Sequence, residues 1–247
     1  MISALIVLAE REARRELADR GRLLFDVAWP LMLVILLGFG VDAFAQPKAD
    51  LSYLAFLGPG VLGLLFVRRT ISAARSLSRE ARHGFREYLV TPVHPRWIVL
   101  GSLAGLWVVH SCIALIVLAV YTVFVKATAQ GLWLGIAGVV ASIGASLSMG
   151  LVLAVVVENM RMFSRQTFFV VLILALVSGV FFPIEDLPFS LQYISFISPL
   201  TYMIDSIRGP LVGVSHFAPL TGLVVTSIIA VVCIGIGIWK SRSLFRI

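Results

Sequence analysis

Long apolar runs separated by short polar connections form the main pattern of this sequence. Six runs reach or approach the roughly 20 residues that an α-helix needs to cross a bilayer. They are Val27–Ala45, Tyr53–Ser72, Trp97–Val125, Leu132–Val157, Thr167–Phe182 and Pro219–Trp239. The pattern predicts an all-α polytopic membrane protein with six transmembrane helices.

A helix of a different kind is predicted before the first run. Its apolar residues recur at spacings of three and four, so they share one stripe of a helix. They are Ile2, Ile6, Ala9, Ala13 and Leu17. The charged residues of the same segment fall mostly off this stripe, as they do in helices that lie on a membrane surface. We therefore expect residues 1–22 to form an interfacial helix; the alternative is a short solvated arm.

The composition excludes two other classes of protein. Of the 247 residues, 60% are hydrophobic and 13% are charged, and the mean hydropathy is +1.01. Soluble domains carry about a quarter charged residues, so an ordinary soluble protein and a disordered chain are both excluded. We expect residues 1–247 to form one transmembrane domain. Cys112 and Cys233 lie inside apolar runs, where we interpret them as packing residues.

The basic residues predict the orientation of the chain. Of the 20 Lys and Arg residues, 17 lie in the N-terminal segment, in the connections after the second and fourth runs, and in the tail. In a chain with six spans these segments all fall on one side of the membrane. Because basic connections stay in the cytoplasm, we expect both termini to be cytoplasmic. We also expect a multi-pass protein of the cell (cytoplasmic or inner) membrane.

The connection between the fifth and sixth runs does not read as an ordinary loop. Residues 183–218 lie on the external side in this topology, and they mix aromatic and aliphatic residues with prolines at 183, 188, 199 and 210. A free loop would not carry so much apolar surface. We expect two short helices that re-enter the outer leaflet, where irregular backbone is tolerated only when protein or a cavity covers it.

The second connection, residues 76–101, is the strongest cytoplasmic feature. Ser78 is placed to cap a short helix that carries dense charge beside apolar residues such as Phe85, and Thr91-Pro92 would end that helix. Such a helix suits docking into a groove of a partner. The alternative is a solvated loop held on anionic lipid headgroups.

Several polar residues interrupt the apolar runs. Arg68 and Arg69 lie in the second run, where they either snorkel to the cytoplasmic interface or line an aqueous path, and we favour snorkelling. His110 lies well inside the third run, either as a contact for substrate or proton or as a neutral ring bonded to a neighbouring helix. Asp26 lies near the end of a span, where we expect solvation at the interface.

The sequence carries no convincing catalytic motif. It has no Gly-x-x-x-x-Gly-Lys-Ser/Thr phosphate-binding loop, and its four histidines show no zinc-ligand spacing. An intramembrane serine protease would use Ser178-Gly179 with His110, but the first glycine of such a motif is replaced by Leu176. We expect no catalytic residue, no metal site and no cofactor in this chain.

Three segments together resemble the permease subunits of type-2 ABC (ATP-binding-cassette) exporters. The first contains Leu57-Gly58-Pro59-Gly60. The second, Arg79 to Pro92, is similar to the family's loop with Arg-Glu, a glycine and Leu-x-x-Thr-Pro, and the third is Ser178 to Gly209. Their order and spacing agree with the six-span topology, so the likeness covers nearly the whole chain. Arg68-Arg69 depart from the family, which has small or apolar residues there, and this adds contact with an anionic headgroup to their interpretation.

The resemblance implies roles for particular residues. The loop over residues 76–92 would hold a coupling helix seated on an ATPase subunit, with Arg79, Glu80, Arg82, His83, Gly84, Phe85 and Glu87. The external segment would act as a gate, with Phe181, Phe182, Pro183, Pro188, Pro199, Tyr202 and Arg208. Contacts to the pathway or to a headgroup would come from Arg68, Arg69 and His110.

The resemblance also implies partners and a function. Such permeases pair as two copies, here expected as a homodimer in the lipid bilayer, and bind two ABC ATPase subunits that hold the ATP and Mg; no nucleic acid is expected. The implied function is export of a lipophilic or amphiphilic cargo (a drug-like compound, a lipid or a lipid-linked glycan) by alternating access. The alternatives are a non-transporting scaffold or assembly factor of the same fold, and an ATP-independent channel.

Overall fold

The computed structural model describes residues 2–42, 53–83, 95–124, 129–157 and 171–244, which are mostly helical. In chain order the helices are α1 (Ile2–Ala18), α2 (Arg20–Asp42), α3 (Tyr53–His83), α4 (Pro95–Phe124), α5 (Ala129–Val156), α6 (171–177), α7 (Phe189–Ile197), α8 (Pro199–Val212) and α9 (Pro219–Leu244). A 3-10 turn, Ile184–Asp186, precedes α7. These ranges contain no strand, so the predicted all-α class is confirmed for them.

Five helices of the described ranges are long and apolar enough to cross a membrane. Their spanning parts are Arg20–Gly38, Tyr53–Arg79, Arg96–Val123, Gln130–Val156 and Leu220–Lys240. They correspond to five of the six predicted runs. The remaining run, Thr167–Phe182, begins outside the described ranges, and its described helical part ends at residue 177. The sixth span and the cytoplasmic termini therefore stay predictions.

Helix α3 extends further than the sequence predicts. It continues without a break over 31 residues, because Ala73, Ala74 and Leu77 prolong its buried apolar face beyond Ser72. Ser78 lies inside this helix and is 5% exposed. The predicted start of a separate helix with Ser78 as its cap is therefore wrong.

The core is built around α3. Of its spanning part 83% is buried, compared with 22% for α2 and 17% for α9. Leu65 and Phe66 of α3 pack with side chains of α4, α5 and α8, such as Leu118, Ile143 and Ile207. Because lipid is as apolar as these side chains, close packing rather than exclusion from water holds such helices together. The exposed faces of α2 and α9 need lipid or another subunit as their surroundings.

Helix α1 is held against α4 at two glycines. A Cβ atom on Gly105 would collide with the carbonyl oxygen of Ala9, and one on Gly101 would lie 2.6 Å from Cβ of Leu8. Glycine at positions four apart lets two helix backbones approach closely. The spacing of these two glycines therefore fixes where the N-terminal helix lies.

The buried face of α1 differs from the predicted apolar stripe. Ile6 and Leu17 are 57% and 53% exposed, whereas Glu12 and Glu16 are 1% and 7% exposed. The reason is polar: the Glu12 carboxylate accepts a hydrogen bond from Ser76 of α3, and Glu16 pairs with Arg22. The predicted helix is present, with two carboxylates turned inward and with apolar residues of the stripe on the outer surface, where a helix on a membrane surface carries them.

Candidate functional site

Five arginines line a cavity beside α2 and α3. The cavity has a volume of about 510 Å³, and its basic residues are Arg22, Arg68, Arg69, Arg75 and Arg79. Arg68, Arg75 and Arg79 share a face of α3 because they recur at spacings of seven and four, and Arg69 is the neighbour of Arg68. The remaining wall is formed by Asp26, Ser72 and apolar side chains that include Trp29, Leu64 and Val171. We call this space the arginine cavity.

Asp26 is the carboxylate at the centre of the arginine cavity. Its Oδ2 lies 2.7 Å from Nη2 of Arg69, and its Oδ1 lies 3.2 Å from Nη2 of Arg68. Arg22 is more distant, with Nε 4.0 Å from Oδ2. Asp26 is 1% exposed, so the predicted solvation of this residue is wrong. Its carboxylate is neutralised by two arginines from α3 instead of being solvated by water.

Neighbouring groups fix the orientation of Arg22 and Arg68. Nη1 of Arg22 lies 3.2 Å from Oε1 of Glu16, and its Nη2 donates to the hydroxyl of Ser72. The Arg68 guanidinium lies over the rings of Phe25 and Trp29, at 5.1 and 5.4 Å from their centroids. Aromatic faces attract a guanidinium at such distances. Both side chains are therefore held toward the cavity.

The structure separates the two arginines that the sequence treats together. Arg69 is 2% exposed and paired with Asp26; because this ion pair keeps its guanidinium inside the fold, the favoured snorkelling is wrong for this residue. Arg68 is half-buried, with 36% of its side chain exposed. Their roles as pathway or headgroup contacts stay predictions.

His110 does not line the arginine cavity, although the sequence groups it with Arg68 and Arg69. It is 1% exposed within α4, and its Nδ1 has no hydrogen-bond partner in the described part of the chain. The predicted bond to a neighbouring helix is therefore not made by Nδ1. A role in the pathway stays a prediction.

At the other end of α3, residues 178–217 form a compact unit that we call the cap. Hydroxyl groups tie its turns together: Ser178 and Ser198 share a hydrogen bond of 2.7 Å, and Thr201 donates to the carbonyl oxygen of Ser195 at 2.7 Å. Ser195 in turn donates to the carbonyl oxygen of Val177 at 2.5 Å. These bonds explain how short helices broken by prolines keep a defined shape.

Arg208 attaches the cap to α3. Its Nη2 donates to the carbonyl oxygen of Gly179 at 2.7 Å, and its guanidinium lies 3.9 Å from the ring centroid of Phe56. Gly179 has φ of 74°, a value that glycine adopts at little cost. On the same side of α3, a Cβ atom on Gly60 would collide with the carbonyl oxygen of Val180. The cap is therefore seated directly on the backbone of α3.

Aromatic rings close the far side of the cap. Tyr202 stacks on Phe217 with centroids 4.9 Å apart, and Phe196 packs against both His216 and Phe217. The Tyr202 hydroxyl donates to the carbonyl oxygen of Phe196 at 2.7 Å. Asp205 accepts hydrogen bonds from the backbone N–H groups of His216 and Phe217. This cluster ties α8 to the segment that leads into α9.

An ion pair lies at the edge of this cluster. Nδ1 of His216 is 2.6 Å from Oε1 of Glu185. Burial raises the pKa of the Glu185 carboxyl, but hydrogen bonds from His216 and from the backbone, together with the charges of His216 and Arg208, outweigh it. The pKa of Glu185 therefore lies below its ordinary value.

The predicted gate residues divide into three groups. Phe181, Tyr202 and Arg208 make the contacts that hold the cap; the carbonyl oxygen of Phe181 accepts a hydrogen bond from Tyr53 at 3.2 Å. Pro183, Pro188 and Pro199 occupy the positions at which the 3-10 turn, α7 and α8 begin. Phe182 points outward and is 53% exposed. Their role as a gate stays a prediction.

The predicted coupling residues are described only in part. Arg79 lies on α3 and lines the arginine cavity. Glu80, Arg82 and His83 belong to the last turn of α3. Gly84, Phe85 and Glu87 lie outside the described ranges. The coupling role stays a prediction.

Sequence reasoning missed the partners that complete these two regions. Gly179, Phe56 and Glu16 received no role, and Asp26 was expected to face solvent. These residues could be recognised only through the residues they contact: Asp26 through Arg68 and Arg69, and Gly179 through Arg208, which lies 29 residues later in the sequence. A single sequence does not show which distant residues meet.

A second cavity, of about 400 Å³, lies between α4, α5 and α9 and is almost entirely apolar. Trp107, Gly144 and Ile234 are among its lining residues. The small residues of α5 open this space, since a Cβ atom on Gly144 would meet the Trp107 ring at 3.4 Å. It offers no polar group for recognition comparable to the arginine cavity.

A comparison with protein families gives one match. The family model described as ABC-2 type transporter matches residues 3–212. The match includes the helices that form the arginine cavity and nearly all of the cap. No curated protein sequence matches the chain.

Proposed function

The chain belongs to the ABC-2 type transporter family, and from this premise we propose that it is the permease subunit of an ATP-driven exporter. The family normally works with an ABC ATPase. In this proposal two permease copies pair in the cell membrane, each with six spans and cytoplasmic termini, and two ATPase subunits bind on the cytoplasmic side. As one transmembrane domain, each chain moves a lipophilic or amphiphilic cargo outward by alternating access.

The observation that carries the proposal is the contrast along α3. Near Gly60 this helix carries the hydrogen-bonded cap, and its other end lines the arginine cavity. A single rigid helix that joins a closed end to an open end supports a mechanism in which moving one end changes access at the other. The predicted orientation puts the cap outside and the cavity inside, which is the resting arrangement that an exporter requires.

ATP enters this mechanism only through the partner. Its binding by the ATPase subunits would shift the equilibrium between two states of the permease. Residues 76–83 of the predicted coupling loop form the last turns of α3, so a displacement of the coupling segment would act on α3 first. Helix α1 would provide the second contact with the ATPase, since its residues Ile6 and Leu17 are exposed.

The exposed apolar surface supports an amphiphilic cargo. Spanning helices α2 and α9 are only 22% and 17% buried, so the chain offers wide faces to lipid or to a second copy. A cargo that partitions into the bilayer would reach these faces without crossing water. The cap, with its apolar and aromatic residues, would be the last contact before release.

Transport by reconstituted complexes tests the proposal. We expect the permease and an ABC ATPase in liposomes to move an amphiphilic cargo only with ATP. Reversing the charge at Glu80 or Glu87 should reduce this rate about 5- to 150-fold, the usual range of a coupling free energy between two sites, while membrane insertion stays normal. Asp186→Lys is the matched control, because this exposed carboxylate lies in the cap.

The other outcomes have defined meanings. Normal transport by the Glu80 and Glu87 variants would show that the coupling assignment is wrong. Cargo movement without ATP would indicate a channel. A complex that forms stably and hydrolyses ATP but moves none of the cargoes in the screen would favour a scaffold.

A further inference from the structure

The arginine cavity has more positive than negative charge. Five arginines line it, and the carboxylates within ion-pair distance of them in the described part of the chain are Asp26 and Glu16. Arg75 and Arg79 are both exposed, and neither is within 4 Å of a carboxylate among the side chains that the structure describes. Arg75 also experiences the like charges of Arg79, Arg22 and Arg68. Three positive charges are left without a protein counterion there.

At the closed end of the cavity, Nε and Nη2 of Arg69 have no hydrogen-bond partner among the described residues, and Nη2 is held by the ion pair with Asp26. Arg69 is 2% exposed, so its Nε is a buried donor without such a partner. Buried donors are normally satisfied, and an orphaned guanidinium N–H beside a cavity indicates an acceptor that enters from outside. The ion pair with Asp26 leaves this N–H available.

The cavity walls are amphipathic. Its lining combines the arginines with the apolar side chains of Trp29, Leu64 and Val171. The exposed arginines, Arg75 and Arg79, mark the open end, and buried Arg69 marks the closed end. A volume of about 510 Å³ lies in the range of sites for drug-sized ligands. It therefore has room for a charged group together with the start of an apolar chain.

We propose that the arginine cavity binds a phosphate group of an anionic molecule, held by the guanidinium groups of Arg68, Arg69, Arg75 and Arg79. Guanidinium groups present planar pairs of donors that match phosphate oxygens. A phosphate with two negative charges removes most of the excess charge and supplies an acceptor for Nε of Arg69. The proposal concerns binding alone and does not depend on whether the bound molecule is transported.

Two sources share this chemistry: the headgroup of an anionic lipid, and free phosphate or pyrophosphate. The apolar wall beside Trp29 favours the lipid, because a free anion would leave it in contact with water. The experiment below treats the two sources as separate arms.

Native mass spectrometry of the full-length permease in detergent, titrated with phosphatidic acid or with phosphatidylcholine, tests the proposal. We expect phosphatidic acid to be retained and phosphatidylcholine to be lost. The double variant Arg75→Gln with Arg79→Gln should bind phosphatidic acid about 25-fold more weakly, at about 5-fold for each arginine. Replacing both arginines by lysine should restore only part of the binding, because lysine keeps the positive charge but not the paired donors of the guanidinium group. Arg20→Gln, an exposed arginine outside the cavity, should bind as the unchanged protein does.

Inorganic pyrophosphate forms the second arm. If it fails to displace phosphatidic acid, the ligand is a lipid headgroup; if it displaces the lipid and binds alone, the site takes a free phosphate group, and both outcomes support the proposal. Equal retention of phosphatidylcholine would overturn it. An equal loss of binding in the Arg20→Gln variant would also overturn it, because the effect would then be one of net charge.

Discussion

The two ends of α3 differ in whether their polar groups find partners within the protein. Near Gly60, the cap joins its hydroxyls, carbonyls and Arg208 into bonds with one another. About 22 Å along the helix, near Arg75, five arginines share two carboxylates. The polar groups of the cap bond mainly to one another, although Nε of Arg208 has no hydrogen-bond partner among the described residues, whereas the arginine cavity carries an excess of positive charge. Internal hydrogen bonds make the cap resist opening, whereas the excess positive charge makes the arginine cavity suited to binding an anion.

The largest expected effect comes from removing the carboxylate that the arginine cavity does have. Asp26→Ala leaves Arg69 buried without its ion pair. Breaking a buried pair in this way costs about 3 to 5 kcal/mol. The measurement is the free energy of unfolding in detergent. The exposed pair between Arg14 and Glu10 is the control, and Glu10→Gln should cost less than about 1 kcal/mol. Equal losses would show that Asp26 is not a structural centre.

The seat of the cap on α3 gives the next effect. Gly60→Ala places a methyl group against the carbonyl oxygen of Val180, and overpacking of this kind costs about 1 to 3 kcal/mol. We expect the cap to shift and liposomes containing the variant to leak a small dye. Gly235→Ala is the matched control, because nothing lies within 4 Å of a Cβ atom there. If the Gly60→Ala variant leaks no more than the control, the position of the cap does not depend on the contact between Gly60 and Val180.

A smaller effect is expected within the cap. Tyr202→Phe removes the hydrogen bond to the carbonyl oxygen of Phe196 and keeps the stacking on Phe217. We expect a loss of about 1 kcal/mol, the usual net value of one hydrogen bond. Thermal unfolding measures it. A loss as large as that of Gly60→Ala would show that the turn at Pro199 to Tyr202, rather than the seat, holds the cap.

The smallest effect is a dependence on pH. The pKa of Glu185 is lowered in the folded protein, so its pair with His216 stabilises the cap above the ordinary pKa of the carboxyl. That stability is lost as the pH falls below about 4.5 through the lower folded value. We expect a lower melting temperature on acidification, less so for Glu185→Gln. If Glu185→Gln shows the same pH dependence of the melting temperature as the unchanged protein, the acid sensitivity comes from other groups.

The spans were the most predictable part of the fold. An apolar run long enough to cross the bilayer forms a helix, because a helix satisfies every backbone hydrogen bond within the segment. Five of the six runs correspond to spanning helices in the described ranges. Their ends were less predictable. Helix α3 continues past Ser72 because Ala73, Ala74 and Leu77 find partners in the core, and a local count of apolar residues does not contain those partners.

The candidate site was predictable in its members but not in its pairing. Arg68 and Arg69 stood out as charges within an apolar run, yet only the packing of α2 on α3 shows that Asp26 meets both. Likewise, the stripe of Ile6 and Leu17 identified α1 as a helix, but it did not show that Glu12 and Glu16 form the face buried in the protein. In both cases a carboxylate found cations or hydroxyls on another helix, which reversed the preference expected from hydropathy alone.

The close approach of α1 and α4 has a mechanical consequence. With Ala9 lying against Gly105, there is no layer of side chains between the two backbones to deform when one of them is pushed. A force applied to the outer surface of α1, at Ile6 or Leu17, would be transmitted to α4 with little slack. His110 lies about 7.5 Å further along that helix. A movement of the N-terminal helix would therefore also move α4, the helix that carries the buried imidazole of His110.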